Sequence, residues 1–326
     1  MEKASLWIDT KLKNLNEVRE LFLANEDNQR SHANAGTYTN FDVKQKIKED
    51  QSIVINGQNW LFNKFDYSYL YKSNDDLIDP QETSGYVVAF SNGDEVRYFI
   101  NYFSQNAQVS LQLLLNNLNK ATHIESKPVI VEEGFFLWLF QKYYNGDAEF
   151  QISNSSDSNN SVSNTSSNLN INSILAVKGD TSDQITSINA SGDQISNYVS
   201  VLSFLLESSK LYKLGLRISY DSHKTIEFTI DKPRKNNVVS VDISKYEGVL
   251  SAESMDSKIS KLLIIVNLVI FPKLIQMYKE DKSWNQQEME MFFDGLSRDI
   301  TSKIATLLTG VKDKVALDNS QTSLDV

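Results

Sequence analysis

The chain has 326 residues, 40% of them hydrophobic and 10% aromatic, enough for a sizeable core and a length that suits two domains. Its 32 basic and 42 acidic residues leave a net charge of −10, which disfavours whole-surface attraction to nucleic acid or to an anionic membrane. With no cysteine it can form no disulfide, thiolate metal site or cysteine nucleophile, which fits a reducing, cytoplasmic compartment. Residues 1–14 contain no apolar signal core. The sequons at Asn154, Asn159, Asn164 and Asn189 are therefore read as by-products of a Ser/Asn-rich composition. The bias toward Asn, Ser, Lys and Ile suits a bacterium or mobile element of low GC content.

From the amino end, residues 14–25 read as an amphipathic helix, with Leu15, Val18, Leu21 and Phe22 at helical spacing. Residues 26–50 are polar and read as loop, with a short second helix near 41–48. Residues 52–56 and 59–65 read as strands joined at Gly57. Asn92-Gly93-Asp94 lies between the alternating runs 85–91 and 95–103, a strong hairpin signal. Residues 108–120 look helical, 127–131 form a strand that opens near Pro128, and 134–144 form a very apolar aromatic helix.

Residues 151–173 are dominated by Ser and Asn and lack the apolar content to bury themselves. They are read as a flexible linker or loop and as the domain boundary. A strand at 174–178 follows. A helix over 193–212 is then expected, capped by Asp193 and striped by Ile195, Val199, Leu202, Leu205 and Leu206. Strands at 214–220, 225–230 and 238–243 form a β-meander. Residues 259–278 are the most apolar run. Between Leu262 and Phe271 only Asn267 is polar, which falls short of the roughly 20 residues of a membrane span. The run is expected to be a buried core helix, capped near Asp256 and Ser257 and kinked at Pro272. A last helix runs from 284 to about 309, opened by a Ser283–Gln286 capping box and stopped by Gly310.

Strands in hairpins and helices in separate blocks predict an α+β fold, with antiparallel hairpins and meanders packed with helices in two lobes. The lobes are expected at 1–150 and 174–312, the latter around a central buried helix at 257–280. A disordered tail is expected at 313–326.

No sequence motif carries chemistry. His32, His123 and His223 are too far apart for a local metal pair, and no G-x-S-x-G accompanies them. With only 12 glycines, the chain has no P-loop and no dinucleotide fingerprint. Acid-x-Lys pairs occur at Asp9-Lys11, Asp42-Lys44, Glu125-Lys127 and Glu280-Lys282. Glu125-Lys127, with Asp94 or Asp147, is the best placed for metal-dependent phosphodiester chemistry. The acids Asp75, Asp76, Asp79 and Glu82 lack the glycine and ligand spacing of a calcium loop. Phe65, Tyr67, Tyr69 and Tyr71 alternate, so an extended segment places them on one face, where they can stack bases or pack against a helix. The one compact basic feature is Lys232, Arg234 and Lys235, with Lys224 on a neighbouring turn.

The reading is a soluble intracellular interaction or regulatory protein without catalytic activity, cofactor or metal. It binds a protein partner, or nucleic acid through Lys224, Lys232, Arg234 and Lys235 and the tyrosine face, and it has no membrane partner. The alternative is a metal-dependent phosphodiesterase or nuclease with dispersed carboxylates, because scattered catalytic residues leave no local motif.

Overall fold

The computed structural model describes residues 1–24, 29–32, 36–75, 77–118, 123–127, 129–132, 134–153, 166–181, 187–232 and 238–322. These build helices and a large antiparallel sheet, an α+β architecture. The first elements are β1 (Glu2–Asp9), α1 (Leu15–Leu23), β2 (Arg30–His32), β3 (Gly36–Gln45), β4 (Gln51–Ile55), β5 (Gln58–Ser73), β6 (Gln81–Ser91) and β7 (Val96–Ile100). There follow α2 (Ser104–Leu114), β8 (Ile124–Ser126), α3 (Phe135–Tyr144), β9 (Glu149–Ser153), β10 (Ser166–Thr181), β11 (Ser187–Ser191) and α4 (Val199–Glu207). The chain ends with β12 (Ser208–Tyr220), β13 (His223–Asp231), β14 (Val238–Val241), β15 (Glu247–Gly248), α5 (Met255–Ile265), α6 (Phe271–Glu280) and α7 (Gln286–Thr322).

By contacts the chain divides into two compact units. One comprises 1–131, 149–170 and 217–275; the other comprises 132–148, 171–216 and 276–326. Each unit draws on both sides of the Ser/Asn-rich segment, so the units do not follow the expected cut at 151–173. Residues 149–153 and 166–170 pair with each other as strands, while 154–165 lie outside the described residues.

In the first unit the strands run in the order β13-β14-β1-β7-β6-β5-β3-β2, with β8 on β1, β4 on β5 and β15 on β13. Strand β1 pairs with β14 through residues 2–4 and with β7 through residues 5–9. The β4–β5 hairpin forms at Asn56-Gly57, as expected. Both residues have left-handed backbone, φ 50° and 77°, the geometry of a tight two-residue turn. At the next hairpin the Asn92 side chain accepts from the backbone N–H of Asp94 and Glu95 and holds the turn between β6 and β7.

Strand β5 is 16 residues long and its side chains divide between two faces. Phe65, Tyr67 and Tyr69 lie in one buried cluster with Val18 and Phe22 of α1 and Leu111 and Leu114 of α2. Trp60, Phe62 and Lys64 point to the other face. There Phe90 lies 5.5 Å from Trp60 and 5.1 Å from Phe99. Helix α5 is tied to that face by Lys64–Asp256 at 2.8 Å and by Ser257 donating to Gln51 at 2.6 Å.

Several expected elements differ in the structure. Residues 41–45 are strand, not helix. Asn40, with φ 54°, forms a bulge that shifts the β3–β5 register between Thr39 and Asp42 and breaks the alternation of Tyr38, Phe41 and Val43. The strand expected at 127–131 lies earlier, at Ile124–Ser126, where it pairs with β1. The helix expected over 193–212 is a short 3₁₀ turn, Ile195–Asn197, followed by α4, and it ends at Glu207. From Ser208 onward Leu214, Leu216 and Ile218 are fully buried at every second residue, and that period belongs to a strand. Asn285, rather than Ser283, caps α7 by accepting from Glu288 N–H at 3.1 Å. Helix α7 runs through Gly310 to Thr322, so the backbone of 313–322 is helical rather than a disordered tail. Gly310 is not among the positive-φ glycines, and one helical glycine costs only about 1 kcal/mol.

The apolar run is helical, opened by Ser254, whose hydroxyl accepts from Ser257 N–H. Residues Val266–Ile270 form a π turn between α5 and α6. Pro272 has no N–H to offer the carbonyl four residues back, and the wider turn sits directly before it. The Asn267 side chain donates to the Leu263 carbonyl at 2.9 Å. Taken as one helix, Met255–Glu280 spans 26 residues with mean hydropathy 1.8 in its most apolar window. By length and composition alone it is long enough to cross a membrane, which corrects the expectation drawn from 262–271. Of that window, 67% is buried inside the protein.

Close approach at Gly85 of β6 gives a test of this unit. An added Cβ would meet Asn101 Oδ1 at 2.4 Å and the Tyr67 hydroxyl at 2.8 Å. Asn101 is itself held, accepting from Tyr86 N–H at 2.9 Å. Gly85→Ala is expected to lower stability to urea by about 1–3 kcal/mol, measured as a lower midpoint at constant slope.

Candidate functional site

Phe65, Tyr67 and Tyr69 do share a face of β5, but it is the core face, where they are 1%, 3% and 5% exposed. Tyr38 and Phe41 pack against Tyr69 at 5.7 and 5.6 Å, and the Tyr69 hydroxyl meets Ser110 Oγ of α2 at 3.0 Å. Burial raises the phenol pKa of both Tyr67 and Tyr69. Tyr71 is half-buried, 5.1 Å from Tyr38. Tyr67 and Tyr69 are thus covered and offer no open ring for a base.

Lys224 is exposed near the start of β13 and Lys232 follows its end. The extended chain between them spans ~26 Å at about 3.3 Å per residue. They therefore do not share a hairpin tip. The Lys232 ammonium donates to the Val131 carbonyl at 2.7 Å. Arg234 and Lys235 lie outside the described residues.

Two polar clusters in the first unit hold chemistry-bearing groups. Lys64 is almost fully buried between Asp66 at 2.5 Å and Asp256 at 2.8 Å, under the Tyr86 ring at 5.0 Å. Two carboxylates do converge here, with the lysine ammonium paired to each, and both carboxylates remain partly exposed. Asp9 is the second centre. Its carboxylate accepts from Lys11 N–H, Leu12 N–H, the Tyr98 hydroxyl and His123 Nδ1, all within 2.8–3.0 Å. Among the described residues no hydroxyl bonds to the His123 ring. Burial and Asp9 push the Tyr98 phenol well above its usual range. Among the described residues no three His, Asp or Glu side chains are placed to hold a metal ion.

The second unit carries an exposed apolar helix face. Helix α3 anchors the unit: Phe135 and Trp138 each lie 5.6 Å from Tyr278. Asp281 accepts from Trp138 Nε1 at 2.8 Å and pairs with Lys142 at 2.7 Å. Burial alone would raise the Asp281 pKa; hydrogen bonds from Lys142, Ser283 and Trp138 outweigh it and hold the carboxyl below its usual range. The first turns of α7 bury Phe292 and Leu296. From Ile300 onward the helix loses that cover. Ile304, Leu307, Leu308 and Val311 are 42%, 62%, 56% and 56% exposed. Their spacing of i, i+3, i+4 and i+7 makes one stripe. Beside it is a cleft of about 640 Å³, lined by Tyr143, Tyr144, Asn197, Arg298, Asp299 and Lys303 among others. Tyr144 donates to Asp299, and Lys303 donates to the Asn197 carbonyl at 3.2 Å. Ile304 and Leu307 were legible as an apolar face. Their exposure was not, because the helix was expected to end near them.

Compared with known proteins, the chain matches no family model and no curated protein by sequence.

The Asp281 cluster predicts a pH response. A carboxyl whose pKa is lowered by folding adds stability above its unfolded pKa, near 3.9, and loses it as pH falls through the folded value. Asp281→Asn is expected to lower stability at pH 7 by about 1–2 kcal/mol. Its melting temperature should then fall less steeply than that of the native chain between about pH 4 and pH 2. Parallel profiles for the two proteins would refute the assignment.

Proposed function

We propose that the protein is a non-catalytic interaction or regulatory protein that docks a partner protein on the exposed half of α7. The observation that carries this reading is the stripe Ile304, Leu307, Leu308 and Val311, four large apolar side chains on a helix face without cover among the described residues. Such a face suits an amphipathic helix laid alongside it. Residues 300–312 contain Lys303 and Lys312 and no acid, and Arg298 lines the adjoining cleft. This local charge favours a partner helix with acidic flanks. A second copy would bring the same basic segment against itself, in a chain already at −10. The cysteine-free composition supports a cytoplasmic setting, and the low-GC bias supports a bacterial or mobile-element source. A two-lobed organisation and the absence of a membrane partner belong to the same proposal.

The test is Leu307→Glu with Leu308→Glu. Both side chains are exposed, so stability should stay within about 0.5 kcal/mol of native. Capture of a host protein should be lost, and the captured segment, mapped by cross-linking, should be an acid-flanked amphipathic helix. Lys224→Glu with Lys232→Glu should leave capture intact. Capture that survives the α7 changes, captured nucleic acid instead of protein, or a native dimer that the α7 changes dissociate would each overturn this reading.

A further inference from the structure

We propose that the first unit carries a binding site for a small organic monocarboxylate in a cavity of about 380 Å³. Its walls include Leu6 and Trp60 from strands and Asn267, Leu268 and Pro272 from the π turn and its exit. Among the described residues its charged lining is Arg97 and Lys127, with no acid. The volume lies at the small end of the roughly 300–1,000 Å³ typical of ligand pockets.

Arg97 is held as an anion receptor. Its guanidinium lies 4.9 Å over the Trp60 ring, and one terminal nitrogen donates to Glu95. Its Nε is buried and has no acceptor among the described residues. The Trp60 and Glu95 contacts fix the guanidinium that lines the cavity in place, with its charge available to an anion there. Lys127 is fixed at the wall by its backbone N–H, which donates to the Leu6 carbonyl at 3.1 Å. Its ammonium pairs with no acid among the described residues.

Charge selects the class of anion. Arg97 and Lys127 together carry +2, and Glu95 removes one, which leaves +1. A carboxylate balances that charge. A dianionic phosphate monoester would leave a negative excess beside a chain at −10. Leu6, Trp60, Leu268 and Pro272 supply apolar wall for a small hydrocarbon or aromatic body, and Asn267 supplies an amide within the π turn. Widened helical turns of this kind concentrate at functional sites.

Titration calorimetry of the full chain with benzoate tests the site, with phenyl phosphate and benzyl alcohol as controls for charge and for the apolar body. Benzoate is expected to bind saturably with a Kd of about 1 mM or tighter, while benzyl alcohol shows no saturable binding. Lys127→Met, at an exposed position, should weaken benzoate about tenfold or more. Arg97→Lys keeps the charge, removes the planar guanidinium seated over Trp60, and should weaken it as well. Absence of saturable benzoate binding by about 10 mM would overturn the proposal. So would affinity unchanged in both variants, benzyl alcohol binding as well as benzoate, or phenyl phosphate binding more tightly.

Discussion

The first unit depends on one constraint: β5 has two faces and both must be covered. Its side chains alternate, so a single 16-residue strand feeds two separate cores. Phe65, Tyr67 and Tyr69 are closed off by α1 and α2. Trp60, Phe62 and Lys64 are closed off by the apolar helical run that begins at Met255. A sheet with one wet face needs no such second cover. The apolar helical run is matched to this face, where α5 meets Lys64 and Gln51, and 67% of its most apolar window is buried. The charge at Lys64 fits the same logic. A lysine in the middle of this face is tolerated because Asp66 and Asp256 meet it from the strand and from α5.

Charge is also what separates the structural clusters from the surfaces open to partners. Where acids and bases meet inside the first unit, they satisfy each other. Asp9 is filled by two backbone donors, a tyrosine and a histidine. Lys64 is filled by two carboxylates. Cations outnumber acids both at the Arg97–Lys127 cavity and along the 298–312 stretch of α7. In a chain with ten more acids than bases, such local inversions of sign are what the two binding proposals rest on.

Much of the local structure was legible in the sequence because it is set by local rules. Asn56-Gly57 and Asn92-Gly93 encode their turns through left-handed backbone and side-chain caps, and Leu15, Val18 and Phe22 encode α1 by period. The losses have physical reasons. Asn40 inserts a bulge, so the apolar period of β3 slips from two and imitates a helix. Residues 208–212 carry no strand signal of their own and take their state from the strand that Leu214, Leu216 and Ile218 define. In β1 the buried positions Ala4, Trp7, Ile8 and Asp9 do not alternate, because the strand changes partner from β14 to β7 partway along. The tyrosine face was legible as a face but not as core, since the helices that cover it come from elsewhere in the chain. Arg234 and Lys235 lie outside the described residues.

Pro272 shows the same limit at the cavity. The sequence marks an interruption there, because proline removes a helical donor whatever surrounds it. What lies opposite is set by strand register. Phe90 of β6 pairs with Phe62 on one side and with Arg97 on the other, which brings Arg97 within reach of Trp60. Lys127 arrives from a third segment, fixed by a backbone bond to Leu6. Three side chains thirty or more positions apart, Trp60, Arg97 and Lys127, thus converge without any local motif. Registers are decided by which face must be buried, so the cavity's composition follows from the same two-sided burial of β5 that organises the unit.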